Sequence, residues 1–458
     1  MINNKEVFFM EVRKEKVSGE NNNSSNALKK QIGLFEAITM VVGIVIGSGI
    51  FFKASAVFGN AGSATMGIMA WVVGGIITIA SALTIAEIAT AIPKTGGVFI
   101  YLKELYSEKW AFLFGWVQSF VYVPGAVAAL AIVFATQATY FVPMSGTQQK
   151  ILAIIMILFI MVLNIISTKI GSKVQLVSTI AKLIPIAIII IFGLTKGTVN
   201  SFSATAIEGS SVGLAGFGAA ILGTLWAYDG WIAVGNMAGE LKKPEKDLPK
   251  SIIIGLLVII AVYVLINLAI IKVMPVGEVV KSSKAATDAS VILFGKNGAS
   301  LIAAGIMISI FGALNGYLMT GVRIPFAMAQ DGVFPFAKFF GKVNEKFETP
   351  LNAFIIEVAI SSLYVLSGSF ELLTNLVMFV LWIFFTMAVA GVFILRNKFK
   401  HLSAPFKVPL YPITPLIGIA GGIYILISTL ITNTMFALVG LLITLVGLPV
   451  YYFITKKK

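Results

Sequence analysis

The chain has 458 residues, 58% hydrophobic and only 12% charged, with 34 Lys and Arg against 20 Asp and Glu. A soluble domain carries about 25% charged residues, so this composition excludes a water-soluble globular protein and points to an integral membrane protein. The absence of cysteine excludes disulfides, thiolate metal sites and cysteine nucleophiles, and the single histidine, His401, falls in a basic loop.

About 20 apolar residues cross a bilayer. Twelve apolar runs follow one another, near 34–58, 65–91, 110–141, 148–166, 172–195, 214–240, 251–274, 299–328, 352–367, 372–395, 412–431 and 434–455. Residues 1–30 are polar, with an Asn/Ser cluster from Asn21 to Asn26, and read as a disordered tail without a signal-peptide pattern. The basic residues are unevenly placed. Most fall in the tail, in 92–109, 167–173, 242–250, 338–346 and 396–407, and at 456–458. The opposite side holds Lys53, Lys150, Lys196, Lys272, Lys281, Lys284 and Lys296. This is the positive-inside pattern, and an even number of spans puts both termini in the cytoplasm. The net charge of +14 therefore reflects topology, and no nucleic-acid partner is expected.

The first run contains Val45-Ile46-Gly47-Ser48-Gly49-Ile50, three small residues in the middle of an apolar span. Unpaired backbone groups are costly in hydrocarbon, so a break survives there only if it is buried or lines a cavity. It leaves one half-helix ending in free carbonyls and the next beginning with free amides, two ends of opposite partial charge. The second run carries Glu87, which must face protein or water, and leads into the turn-rich Ile92-Pro93-Lys94-Thr95-Gly96-Gly97. The third carries Trp116, Tyr122 and Pro124-Gly125, and the fourth is nearly featureless apart from Asn164. In the fifth, Lys182 sits near mid-bilayer, too deep to snorkel, so its ammonium points inward to a carbonyl, a carboxylate or water.

The sixth run is interrupted by Leu225-Trp226-Ala227-Tyr228-Asp229-Gly230-Trp231, at the same depth as the interruption in the first. An odd number of spans separates the two, so they run in opposite directions. Matching interruptions in oppositely oriented units point to an inverted-repeat transporter with its site at the breaks. A single Gly-rich break would be read as helix packing, as in Gly43-xxx-Gly47. A free amino acid carries the ammonium and carboxylate that complement the two exposed helix ends. Further along lie the charged turn around Pro244, Leu248 and Pro249, Asn315, Arg323 with Asp331, Trp382, and the linker Pro405-Phe406-Lys407-Val408-Pro409 ahead of the last two runs.

Several motifs taken together resemble one family. They are Gly47-Ser48-Gly49-Ile50-Phe51, Ala86-Glu87 with Ile92 to Gly97, Ala227-Tyr228-Asp229-Gly230-Trp231, Pro244 with Leu248-Pro249, Arg323 with Ala327-Met328-Ala329, and Pro405 to Pro409. The ordered set, from about residue 30 onward, is similar to the amino acid–polyamine–organocation superfamily in its L-type amino acid transporter branch. The resemblance implies an all-α membrane fold of 12 transmembrane helices with a 5+5 inverted repeat like that of the bacterial leucine transporter. On this chain that gives a first unit at 31–195, an inverted unit at 214–395, and a linker with two peripheral helices at 396–458. It also implies amino acid exchange without sodium, a cell-membrane location and no cofactor. Eukaryotic members of the branch join a glycoprotein through an external cysteine. This chain has none, so no disulfide-linked heavy subunit is expected.

Residue by residue, the resemblance places the substrate carboxylate on the amides of Ser48, Gly49 and Ile50, with Gly47 permitting the turn. The ammonium falls on carbonyls of Val45, Trp226 and Asp229, beside Ala227. Lys182 matches a lysine that stands in for a sodium ion. Trp226 is the candidate gate and Trp382 a border of the side-chain pocket. Two indoles favour small neutral substrates such as alanine, serine and threonine. Family members often have glycine at Asp229, whose side chain could tether Lys182, hold a polar substrate group or line the inner path. The rival readings are a sodium- or proton-coupled symporter of the same fold, and a cationic amino acid or polyamine exchanger using Asp229 or Glu87. A binding-only nutrient sensor also stays open. A channel lacks its ring of pore charges, and an enzyme lacks a metal cluster, reactive thiol or second histidine.

Overall fold

The computed structural model describes residues 33–92, 97–166, 168–202, 213–232, 241–344, 349–399 and 404–456. The expected tail at 1–30, the turn at 93–96, the end of the sixth run at 233–240 and His401 lie outside the described residues.

The described residues fold almost entirely as helix. The first apolar run forms α1 (Leu34–Val45), α2 (Gly49–Phe52) and α3 (Ala54–Ala61). It is interrupted twice. The backbone turns extended at Ile46 (φ −71°, ψ 95°), and the axis bends by 63° between Phe52 and Ala54. Gly62, at φ 78°, ends α3, and the Ser63 hydroxyl accepts the Met66 N–H at the start of α4 (Ala64–Ala91).

Next come α5 (Gly97–Leu105), α6 (Glu108–Val117), a π turn (Gln118–Tyr122) and α7 (Val123–Ala138). The π turn was not foreseen, but Pro124 accounts for it. A proline has no N–H for the carbonyl four residues back and its ring crowds that carbonyl. Here that carbonyl belongs to Phe120, which accepts the Tyr364 hydroxyl at 2.7 Å instead.

Then follow α8 (Gly146–Ile166), α9 (Thr168–Lys196), α10 (Leu214–Tyr228), α11 (Pro244–Val273) and α12 (Val276–Lys281). After them come α13 (Ala285–Gly321, broken at Gly295, φ 66°), α14 (Arg323–Gln330), α15 (Ala337–Phe340) and α16 (Leu351–Ser367). The chain ends in α17 (Phe370–Lys398), α18 (Ile413–Thr432) and α19 (Thr434–Thr455).

Among the described residues, eight helices are long and apolar enough to cross a membrane, or nine if the bent first segment counts as one span. Two shorter apolar helices are Leu214–Tyr228 and Leu351–Ser367. Burial separates centre from periphery: 72% of the most apolar window of Glu108–Ala138 is buried, but only 22% of that in Thr434–Thr455. Leu438, Leu442, Leu445 and Phe453 of α19 are exposed, an apolar surface suited to lipid rather than water.

Two buried charges are explained by packing. Glu87 accepts both Arg396 Nε and Nη2 at 2.8 Å and the Val408 N–H at 2.7 Å. Tyr411 covers the guanidinium at 3.6 Å. This bidentate pair ties α4 to the end of α17 and to the linker. Lys53, expected in an external loop, is instead fully buried at the second bend. Its ammonium donates to Glu371 Oε2 at 2.8 Å and Thr374 Oγ1 at 2.6 Å, over the Phe370 ring. The correction has a local cause: α3 continues the run past Lys53, so the lysine lies inside the segment and not beyond its end.

Candidate functional site

The interrupted first span meets the end of α10. A Cβ built on Gly49 would lie 2.5 Å from Ala227 Cα and 2.6 Å from Ala227 Cβ, so α2 and α10 touch backbone to backbone at the breaks. Only glycine allows that approach. Gly230 (φ 103°) faces the Ile44 side chain, its built Cβ 2.7 Å from Ile44 Cγ2. The second break differs from expectation in its start. Helix α10 runs unbroken through Leu225 to Tyr228, and the chain leaves helical geometry only at Asp229 (φ −64°, ψ 153°). Apolar packing on both sides sustains the helix through Trp226, which is buried.

The first break exposes the polar ends that chain polarity demands. Phe51 and Phe52 donate to the Ser48 carbonyl at 3.0 and 3.2 Å, and Lys53 to that of Gly49. The amides of Gly47, Ser48, Gly49 and Ile50 have no hydrogen-bond partner among the described residues, while Gly49 and Ile50 are buried. Such amides at a helix start are donors for an anion.

The carbonyl ends are partly occupied. Lys182 donates to the Gly43 carbonyl of α1, which answers what its ammonium faces. Asp229 N–H reaches the Trp226 carbonyl at 3.3 Å. The Tyr263 hydroxyl, from α11, lies 3.0 Å from the Val45 carbonyl and 2.7 Å from the Ala227 carbonyl, one in each break.

Asp229 does not tether Lys182 in this structure. Its Oδ2 accepts the Tyr122 hydroxyl at 2.6 Å and the Tyr317 hydroxyl at 2.9 Å. Tyr122 ends the π turn, so the unforeseen distortion of the third span delivers a hydroxyl to the site. Trp226 lies between the two breaks and an aromatic wall. Its Nε1 faces Ser48 Oγ at 3.3 Å, its ring is parallel to Tyr317 (centroids 6.5 Å, 11°) and meets Phe370 edge-on at 6.1 Å. Phe370 also meets Phe52 at 6.2 Å, beside the Lys53–Glu371 pair.

Val45, Gly47, Ser48, Gly49, Ile50, Trp226, Ala227 and Asp229 thus lie where the first break meets the end of α10, and Lys182 holds α1 one turn earlier, at Gly43. Trp382 does not join them through its rings: it packs edge-on to Phe385, which in turn meets Trp231. Glu87 is held by Arg396, and Arg323 donates to the Met319 carbonyl. The residues missed from the sequence are Tyr263 and Tyr317. Their one signal was a phenol hydroxyl inside an apolar run, which needs a partner when buried.

The profile of the amino acid permease family matches residues 32–455. The chain is 45% identical over 434 residues to the serine/threonine exchanger SteT of Bacillus subtilis (strain 168), covering 94% of this chain and 98% of that one. It is 31% identical over 443 residues to the human b(0,+)-type amino acid transporter 1, covering 95% and 90%. It is 33% identical over 439 residues to the mouse large neutral amino acids transporter small subunit 2, covering 93% and 81%.

Proposed function

The chain belongs to the amino acid permease family, a multi-pass membrane protein, and from that premise we propose that it exchanges small neutral L-amino acids across the cell membrane without sodium. The observation that carries the reading is the contact between the two breaks, with unpaired amides of Ser48, Gly49 and Ile50 on one side and carbonyls on the other. The substrate carboxylate docks on those amides, where Gly49 gives room and Gly47 lies in the turn before them. The ammonium takes the second lone pairs of the Val45 and Trp226 carbonyls and the carbonyl of Asp229.

Lys182 fixes the end of α1 with a built-in cation in place of a soluble one. Trp226, braced between Ser48 and Tyr317, is the gate that covers the substrate, and Trp382 borders the path further off. Alternating access then follows from a twelve-span arrangement of two inverted units, 31–195 and 214–395, with the linker and helices of 396–458 at the periphery and both termini in the cytoplasm. The uneven spread of Lys and Arg supports that orientation. Without cysteine, no partner subunit is joined by disulfide.

Neutral substrates are favoured over cationic ones because the nearby carboxylates are engaged. Asp229 already accepts two phenol hydroxyls and Glu87 a guanidinium. Serine and threonine are the substrates named for the Bacillus subtilis relative, and side chains that small suit the aromatic cluster of Trp226, Tyr122 and Tyr317 that stands beside the breaks. The test is uptake of labelled L-serine into liposomes containing the purified protein. Uptake that needs internal amino acid supports exchange. Uptake into empty liposomes driven by a proton or sodium gradient would replace exchange with symport.

A further inference from the structure

The π turn at Gln118–Tyr122 ends on the residue whose hydroxyl Asp229 accepts at 2.6 Å. At its close the Val123 N–H bonds the Gln118 carbonyl, the i→i+5 pattern. Such a turn holds one residue more than an α turn, so the helix faces before and after it differ by about 100°. Where the Tyr122 side chain points is therefore a property of the turn.

The turn is held from both flanks. Upstream, the Trp116 indole N–H donates to the Ile443 carbonyl of α19 at 2.9 Å, and its ring lies 4.2 Å from that of Phe120. Downstream, a Cβ built on Gly125 would lie 2.6 Å from Val377 Cγ2 and 3.9 Å from Tyr364 Cε2. Helix α7 thus packs closely on α17 and on the Tyr364 ring of α16. Between these anchors, Pro124 denies the Phe120 carbonyl its α-helical donor, and the Tyr364 hydroxyl supplies one at 2.7 Å. An unpaired carbonyl is costly in a membrane. Without that hydroxyl the turn must rearrange to bring a backbone N–H to the carbonyl, and Tyr122, two residues on, moves with it.

At the site, Asp229 Oδ2 takes two phenol protons, the second from Tyr317 at 2.9 Å, with the two tyrosine rings 5.8 Å apart. We infer that Tyr364 is a positioning residue for substrate selectivity: by taking the carbonyl that Pro124 leaves free, it holds the π turn that sets the Tyr122 hydroxyl on Asp229, and so closes that carboxylate to a cationic substrate side chain. The inference rests on the proposed exchange of neutral amino acids, and adds to it a residue of α16 that acts through the turn and touches no substrate.

The test measures exchange of labelled L-serine in liposomes, with L-homoserine and L-2,4-diaminobutyrate as competitors. The two have side chains of equal length, one neutral and one cationic. Tyr364→Phe removes one oxygen and keeps the ring against Gly125. The preference for homoserine over diaminobutyrate falls about tenfold, the reach of one hydrogen bond to a charged group. Inhibition by homoserine itself stays within about threefold. Tyr122→Phe, which takes the hydroxyl from Asp229 directly, lowers the preference to a similar extent. In Pro124→Ala the Phe120 carbonyl regains a backbone N–H, so adding Tyr364→Phe there changes the preference by less than about twofold.

An unchanged preference in Tyr364→Phe or in Tyr122→Phe would overturn the inference. So would equal weakening of both competitors, which marks general loosening, or a full shift by Tyr364→Phe in the Pro124→Ala background. p-Aminophenylalanine at position 364 returns an N–H donor on the same ring and keeps the preference within about twofold of the parent. A tenfold fall there would count against the inference whether or not the phenylalanine variant folds. Absence of serine exchange by the parent protein removes the proposed function, whereas parental exchange with an indifferent Tyr364→Phe removes only the role of Tyr364.

Discussion

Gly49→Ala tests the contact on which the site is built. The added methyl would sit 2.5 Å from Ala227 Cα and 2.6 Å from its Cβ, where carbon atoms in contact stay about 3.5–4.0 Å apart. The nearest atom is backbone, so no side chain can rotate away, and α2 and α10 must separate by roughly 1 Å. Overpacking of this kind costs about 1–3 kcal/mol, which the folded bundle can absorb. The site cannot, because a displacement of about 1 Å between groups that act together costs on the order of a hundredfold in rate.

The control is Gly47→Ala in the same loop. Its methyl would meet Ala313 Cβ at 3.7 Å, an ordinary contact, so the variant retains exchange within about threefold, as surface-compatible changes do. Both variants are compared by counterflow of labelled L-serine into serine-loaded liposomes, with folded protein measured by gel filtration. A Gly49→Ala carrier that exchanges as well as Gly47→Ala would refute the argument that the two breaks must touch.

Three further outcomes follow from the geometry. Lys182→Met keeps the aliphatic stem but leaves the Gly43 carbonyl without its donor, and exchange falls by more than about tenfold, as expected for loss of a charge-assisted hydrogen bond. A near-parental rate from intact protein removes the ion-surrogate role. The Lys53–Glu371 pair is lopsided, with the lysine side chain fully buried and the glutamate side chain 41% exposed. Glu371→Gln therefore leaves a buried ammonium without its counter-charge, with only neutral acceptors such as Thr374 Oγ1, costing up to about 3 kcal/mol, whereas Lys53→Met frees a solvated carboxylate at about 1 kcal/mol or less. Melting of the detergent-purified variants should rank in that order, and the reverse order would contradict the burial argument. Glu357 is buried in α16 with neither carboxylate oxygen hydrogen-bonded among the described residues. Glu357→Met, an apolar side chain of similar length, should melt at or above the parental temperature, and a clear loss of stability would show that the carboxyl has a partner.

How much of this was legible beforehand can be judged from particular residues. The Gly47-Ser48-Gly49 interruption was visible because small residues stand out in an apolar run, and Lys182 because an ammonium at that depth demands a partner. The start of the second interruption was misjudged by a few residues. Trp226 and Tyr228 look like breakers in a list of motifs, yet they are held helical by the buried surface around them until Asp229. The π turn at Gln118–Tyr122 follows from Pro124 once it is seen, but a proline alone does not say whether a helix kinks, ends or widens.

By itself, the chain's alternation of apolar runs and basic connections determined that it is a multi-pass membrane protein and marked the small-residue stretch where its first span is interrupted. These are local properties, set by how each stretch partitions between water and hydrocarbon. The tertiary structure alone decided which distant groups satisfy one another: Gly49 against Ala227, Tyr263 across both interruptions, Tyr122 and Tyr317 on Asp229, Lys53 on Glu371. Inside a membrane there is no bulk water to stand in for a missing partner, so a buried polar group depends on whichever helix packing brings alongside, and Glu357 shows that packing does not always supply one. That pairing belongs to the packing of the whole bundle and is written in no single segment.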